Sequence, residues 1–367
     1  MSVNGHKSSV TVAVDAMGGD HGPVEVVQGA RLASNRGVKV VLVGRPEAVR
    51  PLLEPDDPMR LVEAGDVIGM DEPPTAINRR PDSSLARAIG MVSSGEADAA
   101  VSAGNSGAIM AGALFDWGRQ PGVLRPAYGG EIPTRNGHTF VLDIGANSEV
   151  RPEYLLQFAV MGAAYMQVAH GMSSPRIGLL NNGTEDGKGS SLTRKAYDLL
   201  IRTDLEFVGN IEATHVFEGA VDIVVTDGFT GNILLKTAEG VAQEIFNLIR
   251  GEVNRDVLSR GGAALMKPAL RRIKRRLDYE EYGGAPLLGV NGVVINAHGK
   301  SRAKAIANAI IVADRVARDN LLQRVGGQLH NYHADDVARR GVRVMRRLHL
   351  SRPQRAARRE EAESELS

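Results

Sequence analysis

The residues of this chain best suited to chemistry sit in short glycine-rich loops. DAMGGDHGP (15–23), SAGNSG (102–107), DIGAN (143–147), NNGTEDGKG (181–189) and TDGFTGN (226–232) each follow an apolar run. Glycines expose backbone N–H groups, and a helix that starts at such a loop favours negative charge at its N-terminus. The amides of Asn105, Asn147, Asn181 and Asn232 add neutral donors, and Lys188 supplies a cation. This set suits the holding of an anion and the stabilisation of an oxyanion that develops beside it. Lys188, Asn181 and Asn232 are therefore the candidate catalytic groups. Candidate substrate contacts are Asp15, Gly18, Gly19, Ser102, Gly104, Asn105, Ser106, Asp143, Asn147, Gly183, Glu185, Asp227, Gly228, Gly231 and His298. Any one loop taken alone reads better as a strand-to-helix turn capped by Asn, Ser or Asp. Their recurrence at corresponding positions favours a shared cleft. Asp15, Asp143 and Asp227 suit loop orientation better than base chemistry, and His298 fits a cleft wall and a structural role equally.

Several chemistries are excluded. GTEDGKG (183–189) is one residue short of a Walker A loop and has no Ser or Thr after Lys188; in 292–301 the glycines stand too far apart. The 15–23 loop is not GxGxxG, and neither GxSxG nor HExxH occurs. There are no cysteines, so disulfides, thiolate metal sites and a cysteine acyl-enzyme are ruled out. Asp20 and His21 alone do not make a metal site, so no metal and no other cofactor is expected. A net charge of +1 gives no case for nucleic-acid binding.

The elements that must position these loops follow from periodicity. Apolar, β-branched runs at 10–14, 38–43, 98–103, 139–143, 176–180 and 221–226 predict buried strands. Helical patterns at 83–94, 153–170 and 192–202 lie between them, and a further helix is expected from Pro23. Ser301 is the expected N-cap of an amphipathic helix that carries Ile306, Ala309, Ile310, Ala313 and Val316 on one face. The alternation predicts an α/β fold with a doubly wound, mostly parallel sheet. In such sheets ligands bind beyond the carboxyl ends of the strands. Residues 1–350 are expected to form one catalytic unit, with a protruding helical hairpin at about 231–282 broken at Gly261–Gly262. The charged segment 351–367 reads as a disordered tail. Neither a signal peptide nor an apolar run long enough to span a bilayer is present, so a cytoplasmic location is expected.

Residues 265–277, LMKPALRRIKRRL, form a basic amphipathic stretch in which Pro268 is expected to begin a helix. Leu270 and Ile273 give the apolar stripe, and Arg271, Arg272, Arg275 and Arg276 belong to the cationic remainder. The pattern suits an anionic membrane surface or an acidic protein surface. A solvated helix packed on a partner subunit is the plainer alternative.

Taken together, VAVDAMGGDHGP, SAGNSGA, RPA, DIGAN, NNGTEDGKG, TDGFTGN, GGAPLLG and NAHGKS resemble, in order, the PlsX family of phosphate acyltransferases. The resemblance covers about residues 12–320. It departs at His21, where a small polar residue is expected, at Ser106, where Thr is common, and in the tail beyond Arg352. It implies a fold like those of isopropylmalate dehydrogenase and phosphate acetyltransferase, and a homodimer. It also implies transfer of a fatty acyl group from acyl carrier protein to inorganic phosphate for phospholipid synthesis. The acidic partner of the basic stretch would then be acyl carrier protein, and the membrane would be the inner face of the plasma membrane.

Overall fold

The β-branched runs become strands and the amphipathic stretches become helices that cover them. The computed structural model describes residues 9–135, 137–277, 283–330 and 332. In chain order the elements begin with β1 (Thr11–Asp15), α1 (Val24–Ser34), β2 (Lys39–Gly44), α2 (Pro46–Val49), β3 (Arg60–Glu63), α3 (Ser84–Ser93), β4 (Ala99–Ser102) and α4 (Ser106–Asp116). Next come β5 (Ala127–Thr134), β6 (Gly137–Leu142), α5 (Pro152–His170), β7 (Ile177–Leu180), α6 (Ser191–Leu200), β8 (Phe207–Ile211), α7 (Ala213–Glu218) and β9 (Ile223–Val225). The last are α8 (Gly228–Val253), α9 (Val257–Leu277), β10 (Ala285–Leu288), β11 (Val294–Asn296), α10 (Ala303–Arg318) and α11 (Leu321–His330). The expected segment 351–367 lies outside the described residues.

Among the described residues all strands join one 11-stranded sheet in the order β3-β2-β1-β4-β11-β10-β5-β6-β9-β7-β8. Two parallel wings, β3 to β11 and β6 to β8, are joined through antiparallel β10 and β5. Following the pairings across, the wings run in opposite directions. Their carboxyl ends nevertheless reach a common place, because of the register in which the joining strands pair. Ala285 of β10 pairs with Asn296 at the end of β11, whereas Leu288 pairs with Ala127 at the start of β5. Two residues on, Gly129 faces Leu142, the last residue of β6. By this register Leu142 is level with Pro286, one residue from Ala285, so at about 3.4 Å per residue the two carboxyl edges lie only ~3 Å apart along the strand.

Helix α5 is apolar on nearly every side and runs buried through the second wing. Pro152 starts it, and Gly171 ends it in the left-handed region. Helices α10 and α1 cover the first wing, where a Cβ at Gly29 would lie 2.6 Å from the Ile306 Cβ.

The hairpin of α8 and α9 differs from expectation in its break. The turn lies at 254–256, where Asn254 ends α8 and Asp256 accepts hydrogen bonds from the Ser259 N–H (2.7 Å) and Oγ (2.8 Å). Gly261, Gly262 and Pro268 all lie within α9, so the capping chemistry of Asp256 sets the boundary. Ser301 is likewise not the N-cap of α10. Arg302 holds that position, and the Glu25 carboxylate of α1 accepts from the Ala303 N–H at 2.8 Å.

Candidate active site

A cleft of about 600 Å³ opens where the wings meet. Its walls include Gly104, Ser106, Tyr128, Gly145, Gly228, Asn232, Lys236, Glu239, Asn296, His298 and Lys300. Strand ends of both wings and the N-terminal turns of α8 therefore converge on one space.

The first-wing loops are locked by a buried carboxylate. Asp15 accepts from Ser102 Oγ (2.7 Å) and from the Met17 N–H (3.1 Å), and Ser102 Oγ accepts from the Gly104 N–H (3.0 Å). Burial pushes the Asp15 carboxyl up, against the pull of these donors. A Cβ on Gly18 would come within 2.9 Å of Asp15, Gly104 and Ser102. Gly19 takes φ +87°, and next to it the Asp20 N–H donates to the Gly299 carbonyl at 2.8 Å. Asn105 caps α4 by accepting from the Ala108 N–H, while its amide donates to the carbonyl of Glu72 at 2.7 Å. It ties two loops together and does not line the cleft.

Asp143 plays the corresponding part in the second wing. One of its oxygens accepts from the N–H groups of Tyr128, Gly145 and Ala146; the other accepts from the Asn147 backbone (2.7 Å) and side-chain amide (2.9 Å). Burial raises its pKa and the donors oppose the rise. Its lone pairs are committed to the loop, which leaves it no role as a general base. Asn147 also donates to the Pro126 carbonyl, so its amide is a brace. Gly228 and Gly231 let the start of α8 lie directly against this loop, where a Cβ on Gly231 would overlap the Asp143 carbonyl oxygen.

Polar side chains face the cleft from these supports. On α8, Asn232 and Lys236 are separated by one turn and share a face with Glu239. Lys236 Nζ sits 2.8 Å from a Glu239 oxygen and 3.3 Å from His298 Nε2. Burial, and then the Lys236 ammonium, lower the His298 pKa below its ordinary 6.5, so the ring is neutral at neutral pH. The His298 Nδ1 is 3.2 Å from the Lys300 N–H. Across the cleft, Asn296 donates to Ser106 Oγ at 2.7 Å, and its own buried carbonyl oxygen has no partner among the described residues.

The 181–189 loop lies elsewhere. Asn181 borders a second groove of about 590 Å³, with Ser190, Thr193, Thr226, Asp227, Thr230 and Ile233 among its walls. That groove takes the opposite flank of α8. The Asn181 amide donates to the Lys188 carbonyl at 3.1 Å. Lys188 is half exposed and pairs with Glu185 at 3.7 Å; a Cβ on Gly183 would meet both side chains. Asp227 caps α8 by accepting from the Thr230 N–H (2.8 Å) and Oγ (2.7 Å). The structure thus brings Asn232, His298, Ser106, Gly104 and Gly228 together and sets Lys188 and Asn181 apart from them. Lys236, Lys300 and Asn296 escaped the sequence reading. The i, i+4 spacing of Asn232 and Lys236 on one helix was the available signal.

On α9, Leu270 packs towards Phe246 and Ile249 of α8. Arg271, Arg272, Arg275 and Arg276 are exposed, Arg276 donating to the Arg135 carbonyl. Ile273 is exposed too, so Leu270 and Ile273 do not form a single buried stripe. Val257, Leu258, Leu265 and Met266 of the same helix are also exposed. Among the described residues no helix is long and apolar enough to cross a membrane.

Comparison with known proteins places this architecture. The phosphotransacetylase of Streptococcus pyogenes shares the fold, with a TM-score of 0.61 at 17% identity over 84% of this chain and 94% of that one. The branched-chain phosphotransacylase of Enterococcus faecalis V583 gives 0.51 at 14% identity over 83% and 98%. In sequence, the phosphate acyltransferase of Gloeobacter violaceus is 46% identical over 89% of this chain and 99% of its own length. That of Desulfitobacterium hafniense (strain DSM 10664 / DCB-2) is 45% identical over 88% and 98%. The family described as "Fatty acid synthesis protein" matches residues 10–324, and the chain belongs to that family.

Proposed function

We propose that this enzyme is a phosphate acyltransferase that moves a long-chain fatty acyl group from acyl carrier protein to inorganic phosphate, and that the reaction takes place in the cleft between the wings. The observation that carries this reading is the convergence of two lysines, Lys236 and Lys300, with Asn232, Asn296 and the start of α8 on one space. The relatives' shared name supplies the reaction class.

In this mechanism a phosphate oxygen attacks the thioester carbonyl carbon. The C–O bond forms, the C–S bond breaks, and the proton of hydrogen phosphate passes to the departing sulfur. Phosphate is already nucleophilic, so the protein's task is to hold two anionic partners in reacting geometry. Lys236 and Lys300 hold the phosphate, and the Asn232 amide, with the positive end of the α8 dipole, faces the developing oxyanion. Asp15 and Asp143 keep the loops rigid. Lys188 and Asn181, on the far flank of α8, contact the carrier-borne substrate outside the reacting centre.

The enzyme works as a homodimer in the cytoplasm and attaches reversibly to the inner face of the plasma membrane through α9. Exposed apolar side chains beside four exposed arginines support the attachment, since both features are those of an interfacial helix. The enzyme should float with anionic vesicles at low salt and be released at high salt. Replacing Arg271 and Arg272 with Glu should abolish flotation and leave turnover of soluble substrate intact. Salt-insensitive flotation, or an unchanged double variant, would remove the electrostatic part of this reading. A lowered affinity of that variant for acyl carrier protein would assign the arginines to the carrier.

A further inference from the structure

At the cleft wall, Glu131 of β5, with His138 of β6 and His170 at the end of α5, forms a cluster that the acyl-transfer reading does not use. Their ligand atoms, one from each residue, all lie within 4.8 Å of one another. His170 Nε2 is 2.8 Å from one Glu131 oxygen, and His138 Nε2 is 3.5 Å from the other. We propose that Glu131, His138 and His170 form a site for a divalent metal ion, with Zn²⁺ the ion of matching donor chemistry.

The backbone holds these ligands without rearrangement. Glu131 faces Phe140 in the β5–β6 ladder and Pro133 faces His138. Glu131 and His138 are therefore diagonal neighbours on one face, within reach of each other. His170 is brought over them by the buried helix α5, its ring 4.4 Å from that of His138. Tyr165, one turn earlier in α5, stacks on Phe140 at 4.5 Å and closes the floor.

Two imidazoles and a carboxylate are the donors that zinc accepts, with bonds of about 2.0–2.2 Å that put tetrahedral ligand atoms ~3.3 Å apart. The His170 and His138 nitrogens lie 2.8 and 3.5 Å from the two Glu131 oxygens, and one ligand atom from each residue lies within 4.8 Å of the others, so the side chains close by at most ~1.5 Å to reach that figure. Metal ligands must be deprotonated. The Glu131 side chain is 6% exposed, so an ionised carboxylate there calls for a cation. The two histidines are about a fifth exposed, which leaves an entry path.

The surroundings set the coordination number. Asp222 is held by Arg176 at 3.1 Å and is not a fourth ligand; its charge adds to the negative field. Arg315, which donates to the Ala169 carbonyl at 3.0 Å, weighs against a cation. The site thus offers three protein ligands, with the remaining position for water. The nearest described consequence is structural: a bound ion pins α5 to the β5–β6 hairpin at the cleft wall.

The test uses the full chain, stripped with chelator, loaded with Zn²⁺ and desalted. One zinc should remain per chain, and competition with a chromogenic chelator should give its affinity. His138→Ala and His170→Ala should each weaken binding by more than ~100-fold, beyond the 10–100-fold typical of outer partners. Zinc retained equally by the folded double histidine variant would place the ion elsewhere and overturn the proposal. A cobalt(II) titration of the unaltered chain gives a readout that no variant can confound. Saturable visible absorption at one equivalent, displaced by Zn²⁺, is expected; its absence would also overturn the proposal.

Discussion

Lys236→Ala should lower kcat by about 10²–10³-fold, the loss typical of one donor that serves a developing charge. The substituted side chain ends in the cleft, next to His298 and Glu239, and supports no buried packing, so folding should be unaffected. Lys188→Ala should behave differently. Its ammonium is half exposed and pairs with Glu185 at 3.7 Å, an interaction worth little to stability. If the 181–189 loop contacts the carrier-borne substrate, the effect will be a raised KM with kcat nearly unchanged. Steady-state kinetics of the two variants side by side separate these roles. A kcat loss of 10²–10³-fold in Lys188→Ala, with Lys236→Ala near wild type, would move the reacting centre to the groove on the other flank of α8.

Asp143→Ala should be among the most destabilising single substitutions in the chain. The carboxylate satisfies the N–H groups of Tyr128, Gly145, Ala146 and Asn147 together with the Asn147 amide, and it is fully buried. A buried donor left without an acceptor costs about 1–3 kcal/mol, and water entering the gap recovers part of the sum. A net loss of ~3–5 kcal/mol is expected from urea unfolding, with a slope that stays constant. Asp143→Asn keeps an acceptor oxygen and should lose less. Equal stability of Asp143→Ala and the wild type would show that the loop does not depend on the carboxylate, and would detach it from the site's rigidity.

Strands that were near-continuous apolar runs, such as KVVLVG and IGLL, were legible in sequence because burial on both faces requires them. β5 was not, since AYGGEIPT carries two glycines and a proline. Its Gly129 has a tertiary reason: the Phe140 ring lies across it, where a Cβ would collide. β10 and β11 are too short to show a period, yet they set the register that brings the wings together. The α8–α9 boundary was misread because glycine pairs break helices in isolation, whereas here Asp256 caps the next helix and the glycines continue it. In the candidate site the loops themselves were visible. Which loop faces which was not, because that depends on the opposite directions of the wings. Hence Lys188 stood out as the cation of a glycine loop, and Lys236, embedded in a long helix, did not.

The most direct test of the central claim is an assay of the purified enzyme with palmitoyl-acyl carrier protein and inorganic phosphate, following acyl phosphate and free carrier together. The account predicts that both appear in equal amounts and only when phosphate is present. Turnover of acetyl-coenzyme A with phosphate, and none with the acylated carrier, would contradict it and make the enzyme a phosphate acetyltransferase.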